Sequence, residues 1–188
     1  MKNLTKFFLF LLIVCPDFLN AKTKHARLSF GAGIYNFMEN GYKICRVKAG
    51  GCAGSKVVNL EEFKKRSFAY NIEYFTSRNI FKYIKPFIGF LGTTEKAYYG
   101  YFGLSGDLFF GNCKCLVVTP SLAAGYYVDG SEIRLGHAVE FRSGGDITYK
   151  FKNDVRIGFG VFHLSNANLG TRNPGSEQFI FKYQIPIK

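Results

Sequence analysis

Eight stretches of this chain alternate, residue by residue, between large apolar side chains and small, polar or charged ones, and that alternation restricts the fold more than any other feature. Between Ala26 and Phe37 the residues Leu28, Phe30, Ala32 and Ile34 alternate with Arg27, Ser29, Gly31 and Gly33. Between Ser67 and Thr76 the residues Phe68, Tyr70, Ile72 and Tyr74 alternate with Ser67, Ala69, Asn71 and Glu73. Further stretches run over Lys82–Gly92, Tyr98–Phe109, Leu116–Val128, Leu135–Lys152, Val155–Asn166 and Glu177–Ile187. A period of two is the signature of a strand with two unlike faces, and no long stretch shows the three- and four-residue spacing of an amphipathic helix. Turn signals such as Lys152-Asn153-Asp154 separate several of the stretches. Only Met38–Arg66 is a long excursion, in which Val57–Arg66 is expected to form one short helix.

Eight antiparallel strands of about ten residues match a small membrane-spanning barrel, which closes on itself and so leaves no unpaired strand edge in lipid. The expected class is therefore all-β, an eight-stranded antiparallel up-and-down transmembrane β-barrel. Its polar row would carry Glu140, Arg142, Asp146, Arg156 and Lys182 into a lumen narrow enough for side chains to fill. Alternation alone does not say which face is wet. A soluble barrel of lipocalin type, with the apolar row turned inward around a ligand, is the competing arrangement.

The amino terminus supports export. Met1–Lys6 is basic and Phe7–Val14 is wholly apolar, as in a secretory leader with a cut after Ala21, and the run ends at Cys15-Pro16-Asp17, too early for a transmembrane helix. Residues 1–21 are expected to be a signal peptide and residues 22–188 a single barrel domain. With 25 Lys and Arg against 13 Asp and Glu, the chain carries a net charge of +12. No basic helix or RNA-binding motif accompanies that charge, so an anionic envelope surface fits it better than nucleic acid. Cys45, Cys52, Cys113 and Cys115 lack zinc-ribbon spacing, and an oxidising compartment favours disulfides, with Cys45–Cys52 as the simplest loop closure. Cys113 and Cys115 stand two apart, where a direct bond between neighbours on one strand face would be strained.

Chemistry is concentrated in the last two stretches. The apolar row Val155, Ile157, Phe159, Val161 continues into His163 and Ser165, and Glu177 begins the row Phe179, Phe181, Tyr183. A hairpin through Ala167–Ser176 brings the loop ends of both strands together and can set Glu177 beside His163. A serine hydroxyl becomes nucleophilic when an imidazole takes its proton, and a carboxylate on the other ring nitrogen fixes the tautomer and stabilises the imidazolium. Ser165 is then the expected nucleophile, His163 the base and Glu177 its orienting acid. Asn166, Asn173 and the Gly175 amide are candidate donors to an oxyanion. Two structural readings compete: Glu177 pairing with Arg172 in the loop, and His137 as an interfacial residue near the same barrel end.

Phe162-His163-Leu164-Ser165-Asn166 followed by Asn173-Pro174-Gly175-Ser176-Glu177 resembles the signature of the lipid A 3-O-deacylase family, the PagL-like acyloxyacyl hydrolases. The match is close only from Phe162 onward, and Gly136–Arg142 echoes the family loosely. The resemblance implies an eight-stranded outer-membrane barrel whose His, Ser and Glu correspond to His163, Ser165 and Glu177, and whose motif asparagines correspond to Asn166 and Asn173. It implies hydrolysis of the acyl ester at the 3 position of lipid A, within lipopolysaccharide, without metal or cofactor. A homodimer is left open. The alternative is a non-catalytic small barrel, an adhesin or lipid-binding protein, in which His163 and Ser165 only contact headgroups.

Overall fold

The computed structural model describes residues 25–38, 41–45, 59–81 and 83–187. The expected leader, and the proposed Cys45–Cys52 bond, lie outside the described residues and side chains. The strands are β1 (Ala26–Tyr35), β2 (Gly41–Cys45), β3 (Asn59–Phe63), β4 (Ser67–Phe75), β5 (Ile84–Thr93), β6 (Tyr98–Gly106), β7 (Leu108–Phe110), β8 (Leu116–Val128), β9 (Val139–Lys150), β10 (Arg156–Ser165) and β11 (Ser176–Ile187).

Each wall strand pairs antiparallel with its sequence neighbours, and β1 pairs with β11 from Ala26↔Ile187 to Tyr35↔Gln178, which closes the sheet. β6 and β7 both run along β8 and form one wall strand interrupted at Asp107, so the barrel has eight staves. Closure satisfies the backbone donors and acceptors within the sheet, as a wall in lipid requires. β2 and β3 form a separate hairpin within the first long connection. The short helix expected over Val57–Arg66 is not what forms: Asn59–Phe63 is a strand. Its pairing with Gly41–Cys45 supplies hydrogen bonds that one isolated helical turn would have to leave to solvent.

The wet and greasy faces are now assigned. On β4 the burial alternates strictly, with Asn71 and Glu73 inside and Phe68, Tyr70, Ile72 and Tyr74 outside. The same holds around the wall, where Phe30, Ile88, Phe102, Leu122, Ile147, Phe159 and Phe181 face out. A lipocalin-type barrel requires the reverse, so the outer wall is the lipid-facing one. Its interior is polar and filled. Glu140, Arg142, Asp146, Arg156 and Lys182 are all buried within it, as the alternation predicts.

Two ion clusters organise that interior. Glu73 receives Lys182, Arg142 at 3.2 Å and the Tyr101 hydroxyl at 2.8 Å, and Lys182 also donates to Asn71 at 2.7 Å. Toward the other end Asp107 takes Arg27 at 2.7 Å, Arg156 at 3.2 Å and the Thr119 hydroxyl at 2.8 Å. The break between β6 and β7 thus sits where Asp107 serves two arginines from across the barrel. Arg142 also stacks on Phe162, 3.3 Å from the ring centre, which ties β9 to β10 from within.

Cys113 and Cys115, whose pairing the sequence leaves open, are disulfide-bonded. They do not share a strand. Gly111–Lys114 is a turn in which Gly111 and Lys114 both adopt positive φ, and this folds the chain back enough to bring the two sulfurs together.

Replacing Glu73 with Leu leaves Lys182 and Arg142 facing each other without their shared counter-charge. Such a broken buried pair costs about 3–5 kcal/mol, so the urea midpoint of the variant refolded into lipid should fall well below that of the wild type, and an unchanged midpoint would remove Glu73 from the stabilising network.

Candidate active site

β10 presents its side chains alternately to the lumen and to the membrane. Phe162 and Leu164 point in and are buried, so His163 and Ser165 must point out. β11 enters from the adjoining loop with Ser176 buried and Glu177 on the outer face. The register sets His163 directly opposite Glu177. Across that pair His163 Nδ1 lies 3.4 Å from Glu177 Oε1, with the imidazole about half exposed (48%) and the carboxylate largely covered (19%). The contact is longer than a well-formed hydrogen bond, as such contacts often are before substrate closes over a site. Ser165 is half-buried, stands two residues further along the same face and pairs with Phe141 of β9.

The loop Asn166–Gly175 is held by its asparagines. Asn166 is fully buried; its Nδ2 donates to the carbonyls of Leu135 (2.9 Å) and Arg172 (2.8 Å), and its Oδ1 accepts from the Asn168 amide (3.0 Å). Asn173 Oδ1 accepts from the Asn166 amide at 3.1 Å, and its Nδ2 donates to Asn168 Oδ1 at 3.2 Å. The Asn166 side-chain amide is therefore committed to backbone carbonyls of its own loop and of the β8–β9 connection, so in this arrangement the two asparagines shape the turn. Gly175 is the candidate donor that reaches the ring: it has φ +65°, and a Cβ there would stand 2.6 Å from His163 Cε1. Only glycine lets the backbone come that close in that conformation.

One neighbour was missed by sequence reasoning. Glu177 has an ion-pair partner from far away in sequence: Lys64, at the return of the first long connection, places its Nζ 2.9 Å from Glu177 Oε2. The Phe37 amide, where that connection leaves β1, donates to the Glu177 carbonyl at 3.2 Å. Nothing in the run Phe63-Lys64-Lys65-Arg66 distinguishes one lysine by pattern, and no period carries from that segment to β11. His137, at the same barrel end, is occupied locally: its Nδ1 accepts from the Val139 amide at 3.0 Å. No cluster of His, Cys, Asp and Glu fit to hold a metal ion occurs among the described residues.

Two rows of residues cross the outer wall from His163 and Ser165, and an apolar hollow lies along them, reaching Phe141, the cross-strand partner of Ser165. His163 registers with Ser143, Ser143 with Leu122, Leu122 with Leu104 and Leu104 with Pro86. A parallel row runs from Ser165 through Phe141, Ala124 and Phe102 to Ile88. Between Pro86 and Phe141 the wall is hollowed to about 1030 Å³, because Pro120, Ala124 and Gly144 are small beside Phe102, Leu104, Leu122 and Phe141. Four strand-to-strand steps span roughly 19 Å. The row also moves away from the loop end, since His163 lies near the end of β10 whereas Pro86 lies near the opposite end of β5.

The fold and this constellation define a class: a closed eight-stranded membrane barrel with a serine, a histidine and a glutamate together on its lipid-facing wall. The sequence profile of the family described as lipid A 3-O-deacylase (PagL) matches residues 69–186, and the chain belongs to that family. The match covers most of the barrel wall and includes all three residues. No curated protein sequence matches the chain. Among solved structures, the crystal structure of the outer membrane enzyme PagL superimposes with a TM-score of 0.56 at 14% identity, covering 86% of this chain and 99% of that one. A structure from the de novo design of transmembrane beta-barrels superimposes at 0.52 with 8% identity, covering 89% and 98%. At these identities both likenesses concern the fold.

Adding one methyl group tests the packing at the ring. Gly175→Ala should push the His163 imidazole off Glu177 and cut lipid A deacylation sharply, while the αL strain costs only about 1–2 kcal/mol of stability; retained activity in a folded Gly175→Ala barrel would mean that the close approach to His163 does not matter.

Proposed function

We propose that Ser165, His163 and Glu177 act as a Ser-His-Glu triad through which this lipid A 3-O-deacylase hydrolyses its ester. The observation that carries the reading is the direct cross-strand pairing of His163 with Glu177 on the lipid-facing wall. Ser165 Oγ attacks the carbonyl carbon of the 3-position acyl ester and gives its proton to His163. Glu177, on Nδ1, holds the ring with its other nitrogen toward the serine and stabilises the imidazolium. The ring then protonates the departing sugar oxygen, and water repeats the sequence to release the 3-hydroxy fatty acid and restore Ser165. The Gly175 amide is the leading candidate donor to the oxyanion, with Asn166 and Asn173 supporting the loop that carries it.

The location of the site suits a substrate that never leaves the bilayer. With the amino terminus on the periplasmic side, which the expected leader over residues 1–21 and its export would give, the hairpin β10–β11 turns at the outer leaflet. There the phosphorylated sugar meets Lys65, Lys96, Arg134 and Arg172 around the loops, a distribution that suits the basic charge of the chain. The scissile acyl chain lies in the hollow. At a strand tilt of about 35–45° a row of roughly 19 Å drops about 12 Å, most of the roughly 15 Å that one leaflet contributes to a hydrocarbon core of about 30 Å.

Mass spectrometry of lipid A incubated with detergent-purified protein tests the reading. Wild type should remove one 3-hydroxyacyl chain and Ser165→Ala should lose on the order of a millionfold in rate; no loss with a folded wild type would favour a barrel that only binds lipid. The hollow makes a separate prediction. Ala124→Trp fills it within the Ser165 row and should shift the preference toward shorter acyl chains without harming turnover of the shortest, and an unchanged chain-length profile would place the acyl chain elsewhere.

A further inference from the structure

The first long connection returns to the barrel through Lys64 and grips Glu177 from the side opposite His163. Lys64 is almost wholly covered, 4% exposed, and its ammonium sits 2.9 Å from Glu177 Oε2 while Oε1 faces His163 Nδ1. The carboxylate is thus held between two partners, one on each oxygen. Its backbone is held by the same connection, through the Phe37 amide on the Glu177 carbonyl.

The segment that carries Lys64 is itself anchored. The Lys65 carbonyl accepts from Asn36 Nδ2 at 3.0 Å, and the Lys65 amide donates to the Glu132 carbonyl. Lys65 Nζ pairs with Glu95 at 2.7 Å, and the Ser67 hydroxyl donates to Glu132 at 2.6 Å. Three connections at one barrel end therefore meet where Lys64 leaves for Glu177.

We propose that Lys64 is a positioning residue for the triad: it fixes the Glu177 side chain with Oε1 toward the imidazole and sets a counter-charge on its other oxygen. A free glutamate on a strand end samples several rotamers, and only those presenting an oxygen to Nδ1 orient the ring. The ion pair selects among them. Because the ammonium is covered and turned onto Glu177, Lys64 acts through that carboxylate rather than by holding a phosphate of the substrate.

This inference rests on the triad reading, so its test uses a readout that does not need lipid A. Folded barrels, checked by their heat-dependent mobility on a gel, are labelled with a fluorophosphonate that reacts with an activated serine, with Ser165→Ala as the blank; steady-state deacylation is measured in parallel. Lys64→Met should slow labelling and lower kcat about 10–100-fold, the scale typical of a partner that orients a reactive group, with KM nearly unchanged. Lys64→Arg should recover most of the rate. In a Glu177→Ala background Lys64→Met should have no further effect, because a residue acting only through Glu177 has nothing left to act on. Wild-type labelling in Lys64→Met, a raised KM with kcat retained, or an equal loss in the Glu177→Ala background would each overturn the proposal. A folded wild type in which Ser165 does not label would overturn the triad itself, a result distinct from the other three.

Discussion

Every stave of the barrel wall must find a hydrogen-bonding partner on both sides, because lipid offers none, and the pairing of β1 with β11 is where that requirement is met last. Its ten registered pairs join the two ends of the chain and convert an open sheet into a closed wall. An unpaired backbone group in hydrocarbon costs several kcal/mol, so closure outweighs any single side-chain contact in the wall. It also fixes register. A slip by one residue would turn Glu73, Arg142 and Lys182 out into lipid and bring Phe68, Tyr70 and Phe181 into the lumen.

Closure creates a second constraint inside. An eight-stranded barrel is too narrow to hold bulk water and must be filled by side chains, yet the residues available on the inward row are largely polar. They are accommodated by sharing. Glu73 serves Lys182, Arg142 and Tyr101 together, and Asp107 serves Arg27 and Arg156. Such clusters stabilise less than their distances suggest, since desolvation offsets much of the attraction. Their larger effect is on specificity, because each charge is tolerable only in the register that brings its partners.

The barrel was legible in the sequence because both of its determinants are periodic and local: alternation gives the strands, and the long Tyr98–Phe109 stretch even covers β6 and β7 together. What periodicity could not supply was the partner of a residue far away in sequence. Asp107 falls inside that stretch as a single acid, and only the closed barrel brings two arginines to it. Likewise His163, Ser165 and Glu177 share a phase that strands β10 and β11 make visible, whereas Lys64 lies 113 positions from Glu177 in a stretch without pattern. The Asn59–Phe63 strand was misjudged for a related reason. A short segment takes its state from what it pairs with, and Gly41–Cys45 lies on the far side of a connection that sequence pattern does not bridge.

Under the triad proposed above, the reactive side chains stand on the outside of the barrel, which reverses the usual logic of an enzyme site. A pocket excludes water by enclosing substrate, but here the bilayer already does so, and the wall needs only to present the three groups in a fixed relation. Two of them, His163 and Ser165, are set by the alternation of a single strand, whose inward neighbours Phe162 and Leu164 are packed in the core. The third is set by register. None of this fixes the Glu177 side chain beyond its Cβ, nor provides the low-dielectric neighbour with a counter-charge, and strand geometry has no further means of doing either. That task falls to the connections at the barrel end, where Lys64 holds the Glu177 carboxylate, the Phe37 amide holds its backbone carbonyl and the asparagine-held loop brings Gly175 against the ring. A barrel wall can therefore carry catalysis only to the extent that its loops are ordered, and in this chain the ordering contacts run from the first connection to the second, third and fourth.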